Sequence, residues 1–441
     1  MVRSDRDTQL TRIQVFAAFL QRISAAKWFV AVETATVILV LFVLSRADVG
    51  IMDLVGISGL ERRWTLLGAF VAILAFPVIR GMQATIVRLV ASDVLLLGIC
   101  GLAALSILWS PLPTATFPEV VALGLTIVVA AYLAARFDAR TLAVLLFTAM
   151  VMAAALSMLA TFTQPELGRH EGGPHLGIPR GLYEHKNVLG LTMGIGAVPG
   201  TLLVLDGLIH RRRWTIPATV GLALIIAALW MSDSRMAQVS YAFSLMVTLG
   251  FSLLRRGPDR LAEIAGGALG VIPPGLTGLL VSGVIMPMST LFGRGHTMFA
   301  RLEIWSAVFD VLGKRYWLGL GFESFWVDGA PTRQTVETTV GWEVPTAHNG
   351  YIEIILGIGL IGLLLFSAHL VRTCIASARL AQRTRRLATL GPIMILALIV
   401  AINLAESHLL EPGSLLLATY LVCSFWTSPK HGRYGRPQEG L

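Results

Sequence analysis

The chain has 441 residues, of which 55% are hydrophobic and only 14% charged, and its mean hydropathy is +0.73. Soluble domains carry about 25% charged residues, so a water-soluble globule is excluded and an all-α polytopic membrane protein is expected. The net charge of +9 then speaks first of topology and not of nucleic acid.

Residues 1–27 are basic and polar, with Leu10, Ile13, Phe16, Leu20 and Ile23 at helical spacing. This reads as a cytoplasmic tail with an interfacial helix. The first apolar run is long enough to span and no small-residue cleavage site follows it, so no cleavable signal is expected. About twelve spans follow by the roughly twenty-residue rule. They lie near 28–47, 64–80, 92–109, 117–135, 140–162, 188–209, 214–232, 235–254, 260–284, 350–371, 388–406 and 411–427. Residues 28–427 are thus one transmembrane domain, with a large outer loop over 285–349 and a polar, basic cytoplasmic tail over 428–441. Cys100, Cys374 and Cys423 sit in or beside apolar runs without metal spacing and are expected as free thiols.

Charge orients the chain. With the N-terminus inside, the inner loops hold Arg80, Arg88, Arg136, Arg140, Arg211 to Arg213, Arg255, Arg256, Arg260 and Arg372 through Arg386. About two thirds of the 35 Lys and Arg fall inside, as the positive-inside rule expects. Arg180, Lys186, Arg235, Arg294, Arg301, Lys314, Arg315 and Arg333 remain outside. Each alone reads as a headgroup anchor or a solvated loop charge; as a set they suggest an anionic ligand.

The outer segments are individually informative. Arg180 to Gly190 leads into the sixth span. Ser232 to Arg235 is a minimal hairpin in which Ser232 or Ser234 is positioned to cap the next helix. Arg235 then stands in that helix's first turn, where a guanidinium and free N–H groups suit a phosphate; a plain turn with an interfacial Arg is the alternative. In the large loop, Met298, Leu302, Trp305, Phe309 and Leu312 recur at helical spacing, which predicts an amphipathic helix on the outer interface. Phe322, Phe325 and Trp326 suit headgroup anchoring or stacking on a sugar ring. His348 stands at the mouth of the next span. Asn349 and Glu353, four apart, share a face, and polar groups there are costly in lipid. Glu406 and His408 either end the helices, or Glu406 pairs with one of the outer arginines.

Several mechanisms have no carrier. There is no GxxxxGK[ST] loop and no HExxH, and the only Asp-x-Asp triplet, Asp5 to Asp7, lies in the tail. Neither a metal nor a cofactor is expected. A sugar donor already tethered to lipid fits better, with arginine neutralising its leaving group. That reaction needs cations on the departing diphosphate, best supplied by the Arg fork, and a base for the acceptor hydroxyl. Arg180, Arg235 and Arg301 are candidates for the first role, and His348 for the second. Asp48 and Asp53 mark the alternative of a monophosphate-carrier transferase with its base in the first outer loop. A transporter or flippase would favour inverted repeats and mid-membrane charge; apart from Glu33 and Asp206 such charges are few.

The ordered features resemble the O-antigen ligase and O-antigen polymerase superfamily, and within it the succinoglycan-type exopolysaccharide polymerases. The matching stretches are Ser106 to Pro113, Arg180 to Gly190, Ser232 to Arg235, Gly293 to Trp305, Leu318 to Trp326, His348 to Gly362, and Glu406 to Ser407. The resemblance implies a GT-C-like glycosyltransferase fold in the bacterial inner membrane, with both termini cytoplasmic and the site facing the periplasm. It implies metal-independent, inverting transfer from an undecaprenyl-pyrophosphate-linked glycan to a glycan acceptor, extending repeat units; ligation to lipid A core uses the same donor chemistry. Arg235 and Arg301 are then expected on the pyrophosphate and His348 as the base. Arg180, Lys186, Asn187, Arg294, Asn349 and Glu353 are expected around the substrate, with the bilayer, a co-polymerase and a flippase as partners.

Overall fold

The computed structural model describes residues 22–54, 62–254, 259–281, 296–383 and 387–428. Most of the expected N-terminal tail, residues 429–441 of the C-terminal tail, and the opening of the large loop with Arg294 lie outside them. Arg255, Arg256 and residues 384–386 of the inner loops do too. Among the described residues there is no strand, only a single bridge between Arg169 and Pro179.

Every span expected from hydropathy carries a helix. In chain order these are α1 (Lys27–Leu44), α2 (Arg62–Ile79), α3 (Gln83–Ala91), α4 (Val94–Leu105), α5 (Pro113–Arg136) and α6 (Ala139–Thr163). Then come α7 (Lys186–Ile209), α8 (Thr215–Met231), α9 (Arg235–Leu254) and α10 (Asp259–Val281). The large loop supplies α11 (His296–Leu312) and α12 (Pro331–Val340); α13 (Gly350–Arg383), α14 (Gly391–Ile402) and α15 (Leu415–Thr427) complete the chain. Among the described residues, six helices are long and apolar enough to cross a membrane, or seven if the bent pair α2–α3 counts as one span. Several others, α8 and α15 included, are apolar but shorter.

Helix α7 is the central one, with 78% of its apolar window buried. It packs on α6, α8, α9 and α14, so the residues at its start are held from several sides. Charges near the far end of the bundle are paired, as burial demands. Glu33 receives Arg80 at 2.5 and 2.6 Å, Arg136 at 3.1 and 3.2 Å and the Tyr132 hydroxyl at 2.5 Å. Asp93 accepts from Arg372 and lies 3.1 Å from His369. Asp206 pairs with Arg140 and His210 at 3.7 and 3.1 Å.

Helix α13 departs from the continuous span expected. Its backbone breaks at Ile358 and Gly359, where Gly359 takes φ 71°. A break in an apolar bundle leaves carbonyls without partners. The loop after α11 fills the gap: Leu320 N donates to Leu356 O at 2.8 Å and Gly321 N to Gly357 O at 3.0 Å. Two backbones meet this closely only without side chains between them. A Cβ on Gly359 would sit 2.1 Å from Trp317 O, and one on Gly319 2.6 Å from Gly357 O.

The same loop corrects the aromatic expectation. Phe322 and Phe325 are buried in the core and not laid at an interface, because the loop is drawn inward onto α13. In α11, Trp305 and Leu312 are buried and Leu302 and Phe309 half-buried, so the predicted apolar stripe is real. It faces protein, with Ile304, Ala307 and Val308 beside it.

Candidate active site

The site is built around the turn Pro345 to Asn349 that feeds α13. Asn349 is fully buried and caps the helix, its Oδ1 accepting from Tyr351 N at 3.0 Å and Ile352 N at 3.1 Å. Its Nδ2 reaches Leu404 O at 3.2 Å, and its own N–H goes to Ser407 Oγ at 3.1 Å. Both backbone groups of Ala347 are held, the N–H by Glu353 Oε1 at 2.6 Å and the carbonyl by Trp305 Nε1 at 2.8 Å. Trp326 Nε1 holds the other Glu353 oxygen at 2.9 Å. The expected shared face of Asn349 and Glu353 thus serves mainly to brace the residue between Ala347 and Asn349.

That residue is His348. It takes φ 51°, a left-handed conformation uncommon outside glycine. Its side chain is 27% exposed, and its Nδ1 points inward to 3.8 Å from Glu406 Oε2. Glu406 is buried, and its Oε1 accepts from Asn187 Nδ2 at 2.9 Å. Burial alone would raise the Glu406 carboxyl. His348, His408 and Arg301 outweigh that and hold it below the usual carboxylate range. The carboxylate therefore stands ionised behind the imidazole, within the field of Arg301.

The start of α7 adjoins this centre. Lys186 Nζ binds the carbonyl of Asp233 at 2.9 Å and its carboxylate at 3.5 Å. Arg235, two residues on, is exposed at the first position of α9. The expected serine cap is not formed. Ser232 Oγ serves its own turn by accepting from Ser234 N, and Ser234 Oγ is buried without a partner. Three histidines surround the start of α7, with ring centroids 4.9 to 5.6 Å apart. His170 Nε2 accepts from Lys186 N at 3.1 Å and His185 Nδ1 from Asn187 N at 3.2 Å. Burial, then the neighbouring imidazoles, push His185 down to about 4, so it acts as a neutral cap. Among the described residues no grouping of His, Cys, Asp or Glu has the geometry of a metal site.

Of the residues expected at the site, His348, Asn349, Glu353, Asn187 and Arg301 converge. Lys186 stands beside them and bridges to the turn that carries Arg235. Arg180 does not join: its Nε donates to Leu167 O and Arg169 O at 3.1 and 3.2 Å and braces its own loop. Neither of the two readings of Glu406 foresaw its place behind His348. The histidine triad was also missed; three His within sixteen residues was the available signal.

Strain concentrates at this end. Among the described non-glycine residues with positive φ, Arg46 (72°), Asp233 (48°), Glu323 (54°) and His348 (51°) all stand here, with Arg211 the exception. Such strain gathers where surrounding structure holds a functional geometry.

Residues 220–367 match the family model described as O-antigen ligase. This segment contains Arg235, Arg301, His348, Asn349 and Glu353. The exopolysaccharide production protein ExoQ of Rhizobium meliloti (strain 1021) is 26% identical over 281 residues, 61% of this chain and 61% of that protein. The chain therefore spans about three fifths of that relative's length. The two likenesses support an O-antigen ligase/polymerase-type family for this chain.

Proposed function

We propose that the protein is a polysaccharide-biosynthesis glycosyltransferase that joins lipid-linked oligosaccharide repeat units. The carrying observation is His348, braced at the mouth of α13 with its Nδ1 toward the ionised Glu406 and Arg301 in electrostatic reach. With Nδ1 turned to the carboxylate, Nε2 is the nitrogen left to accept a proton. The acceptor hydroxyl loses its proton there as its oxygen attacks the anomeric carbon. The bond from that carbon to the carrier diphosphate breaks in the same displacement, which inverts the centre. Charge grows on the leaving diphosphate, where Arg235 and Arg301 supply forked donors. This route calls on no metal.

The donor in this reading is an undecaprenyl-pyrophosphate-linked glycan. The enzyme sits in the bacterial inner membrane with the site facing the periplasm and both termini in the cytoplasm. A co-polymerase and a flippase are its natural partners. The likeness to an exopolysaccharide production protein favours polymerisation. The family description favours a second reading, ligation of finished glycan to lipid A core.

The test is His348→Ala in purified, reconstituted protein given lipid-linked repeat unit. Product should fall by about 10²–10⁴-fold, the usual worth of a general base, with the elution profile of the folded protein unchanged. Full activity in that variant rejects the reading. Longer glycan on the lipid carrier indicates polymerase; transfer to added lipid A core indicates ligase.

A further inference from the structure

A cavity of about 230 Å³ is walled by Pro345 and Thr346 of the 345–349 turn and by Ser407 and His408, the residues that follow Glu406. Its walls include Arg46, Glu323, Trp326, Thr346, Glu353 and Glu411. It abuts the proposed base closely, since Thr346 Oγ1 accepts from His348 N at 3.3 Å and Glu353 holds Ala347. The loop that closes it is the one drawn onto the break in α13.

Most polar groups in these walls are already engaged. Arg46 pairs with Glu411 and lies 3.5 Å from Glu184. His408 pairs with Glu411 at 2.8 Å. Glu353 holds Trp326 and Ala347. Glu323 differs. No hydrogen bond or ion pair of its carboxyl is found among the described residues, and its exposed side chain faces the cavity. It is held there on a left-handed backbone, φ 54°, two residues after Gly321 at 109°.

The lining chemistry selects a ligand class. The one guanidinium in these walls, Arg46, is already spent on Glu411, which disfavours a diphosphate. An aromatic wall of Phe322, Phe325 and Trp326 with a few convergent polar groups suits a neutral, hydroxyl-rich ring. The volume falls below the about 300–1,000 Å³ of drug-sized pockets, which fits one sugar residue better than an extended chain.

We propose that this cavity is a saccharide-binding subsite, with Glu323 as its free hydrogen-bonding group and Trp326 as its aromatic wall. The proposal rests on the glycosyl-transfer reading and adds to it the place where a sugar ring is held beside His348. The ring belongs either to the acceptor or to the donor's repeat unit. Although this side chain opens onto the cavity, the protein packed around it, and then the nearby Glu353 and Glu119 carboxyls, push the Glu323 carboxyl up to about 8. At neutral pH it is then largely protonated, able both to donate to and to accept from sugar hydroxyls.

The experiment uses full-length protein in nanodiscs. The probes are oligosaccharides released by partial acid hydrolysis of the host's own exopolysaccharide, with inorganic pyrophosphate as a second ligand. Glu323→Ala should weaken oligosaccharide binding at least tenfold and leave pyrophosphate binding within twofold. Glu323→Gln, which keeps shape and hydrogen bonding, should stay within about threefold of wild type at pH 7 and guards against misfolding of the alanine variant. In turnover assays the rise should fall on the KM of whichever substrate supplies the ring, acceptor or donor, which separates the two sources. Oligosaccharide binding and both KM values unchanged in Glu323→Ala would overturn the proposal, as would an equal loss for pyrophosphate. His348→Ala should keep oligosaccharide binding. If that variant also keeps turnover, the transfer chemistry assigned to His348 fails while the subsite stands.

Discussion

His348 Nδ1 lies 3.8 Å from Glu406 Oε2, and Asn187 grips the other oxygen of that carboxylate at 2.9 Å. The arrangement turns Nδ1 inward toward the carboxylate, where it makes no hydrogen bond of its own, and leaves Nε2 as the other ring nitrogen. Glu406→Gln keeps the shape and removes the charge. We expect kcat to fall about 10–10³-fold with the KM for donor little changed, since the loss is of proton transfer and not of binding. Steady-state kinetics on the reconstituted variant check this, and an unaltered kcat would show that the carboxylate is only a structural brace.

Arg235 is exposed at the first position of α9, the end of the helix where free N–H groups favour an anion. Arg235→Lys keeps the charge and loses the fork. Activity should drop at least about tenfold, as for the loss of one charge-assisted bond pair. Arg301→Lys should behave alike. Arg180→Lys should instead act through stability, because Arg180 is spent on Leu167 O and Arg169 O. Turnover normalised to folded protein separates the two outcomes.

Gly359 is the hinge on which α13 breaks. Its φ of 71° and the 2.1 Å approach to Trp317 O leave no room for a methyl group. Gly359→Ala should cost at least about 2 kcal/mol through strain and displacement of the docked loop. A melting curve in detergent reads this as a lower midpoint. An unchanged midpoint would mean that the loop docks elsewhere.

The two carboxyls at the site should pull stability in opposite directions with pH. Glu406 is held below its ordinary value of 4.5, so its contribution is present above that value and lost as pH falls. Glu323 is raised from 4.5 to about 8. Across that window the folded state binds more protons than the unfolded state, so stability declines as pH rises. Melting midpoints from about pH 3 to about pH 9 should therefore flatten on the alkaline side in Glu323→Gln and on the acid side in Glu406→Gln. Parallel curves for wild type and both variants would refute the assignment.

Much of the helical frame was written in local pattern. Apolar runs locate a helix at every expected position, because hydropathy needs only neighbours in the chain. The Trp305 stripe and the place of His348 at the mouth of a helix were legible for the same reason, since helical period acts within a few residues. The break at Gly359 was not, because its cause lies in another segment: the loop at Leu318 to Gly321 supplies the N–H groups that make a broken helix tolerable.

By itself, the sequence determined an all-helical membrane chain and supplied the residue types that the proposed cation-assisted sugar transfer would need. Tertiary structure alone decided which of them meet. Asn187 and Glu406 are 219 positions apart and reach each other only because α7 and α14 pack side by side. Arg180 and Arg301 look alike in sequence, yet one is consumed by its own loop and the other acts on the Glu406 carboxylate. Glu323 gains its character only from the walls around it. The physical reason is that charge, burial and hydrogen bonding act through space, whereas periodicity reports on the chain one turn at a time.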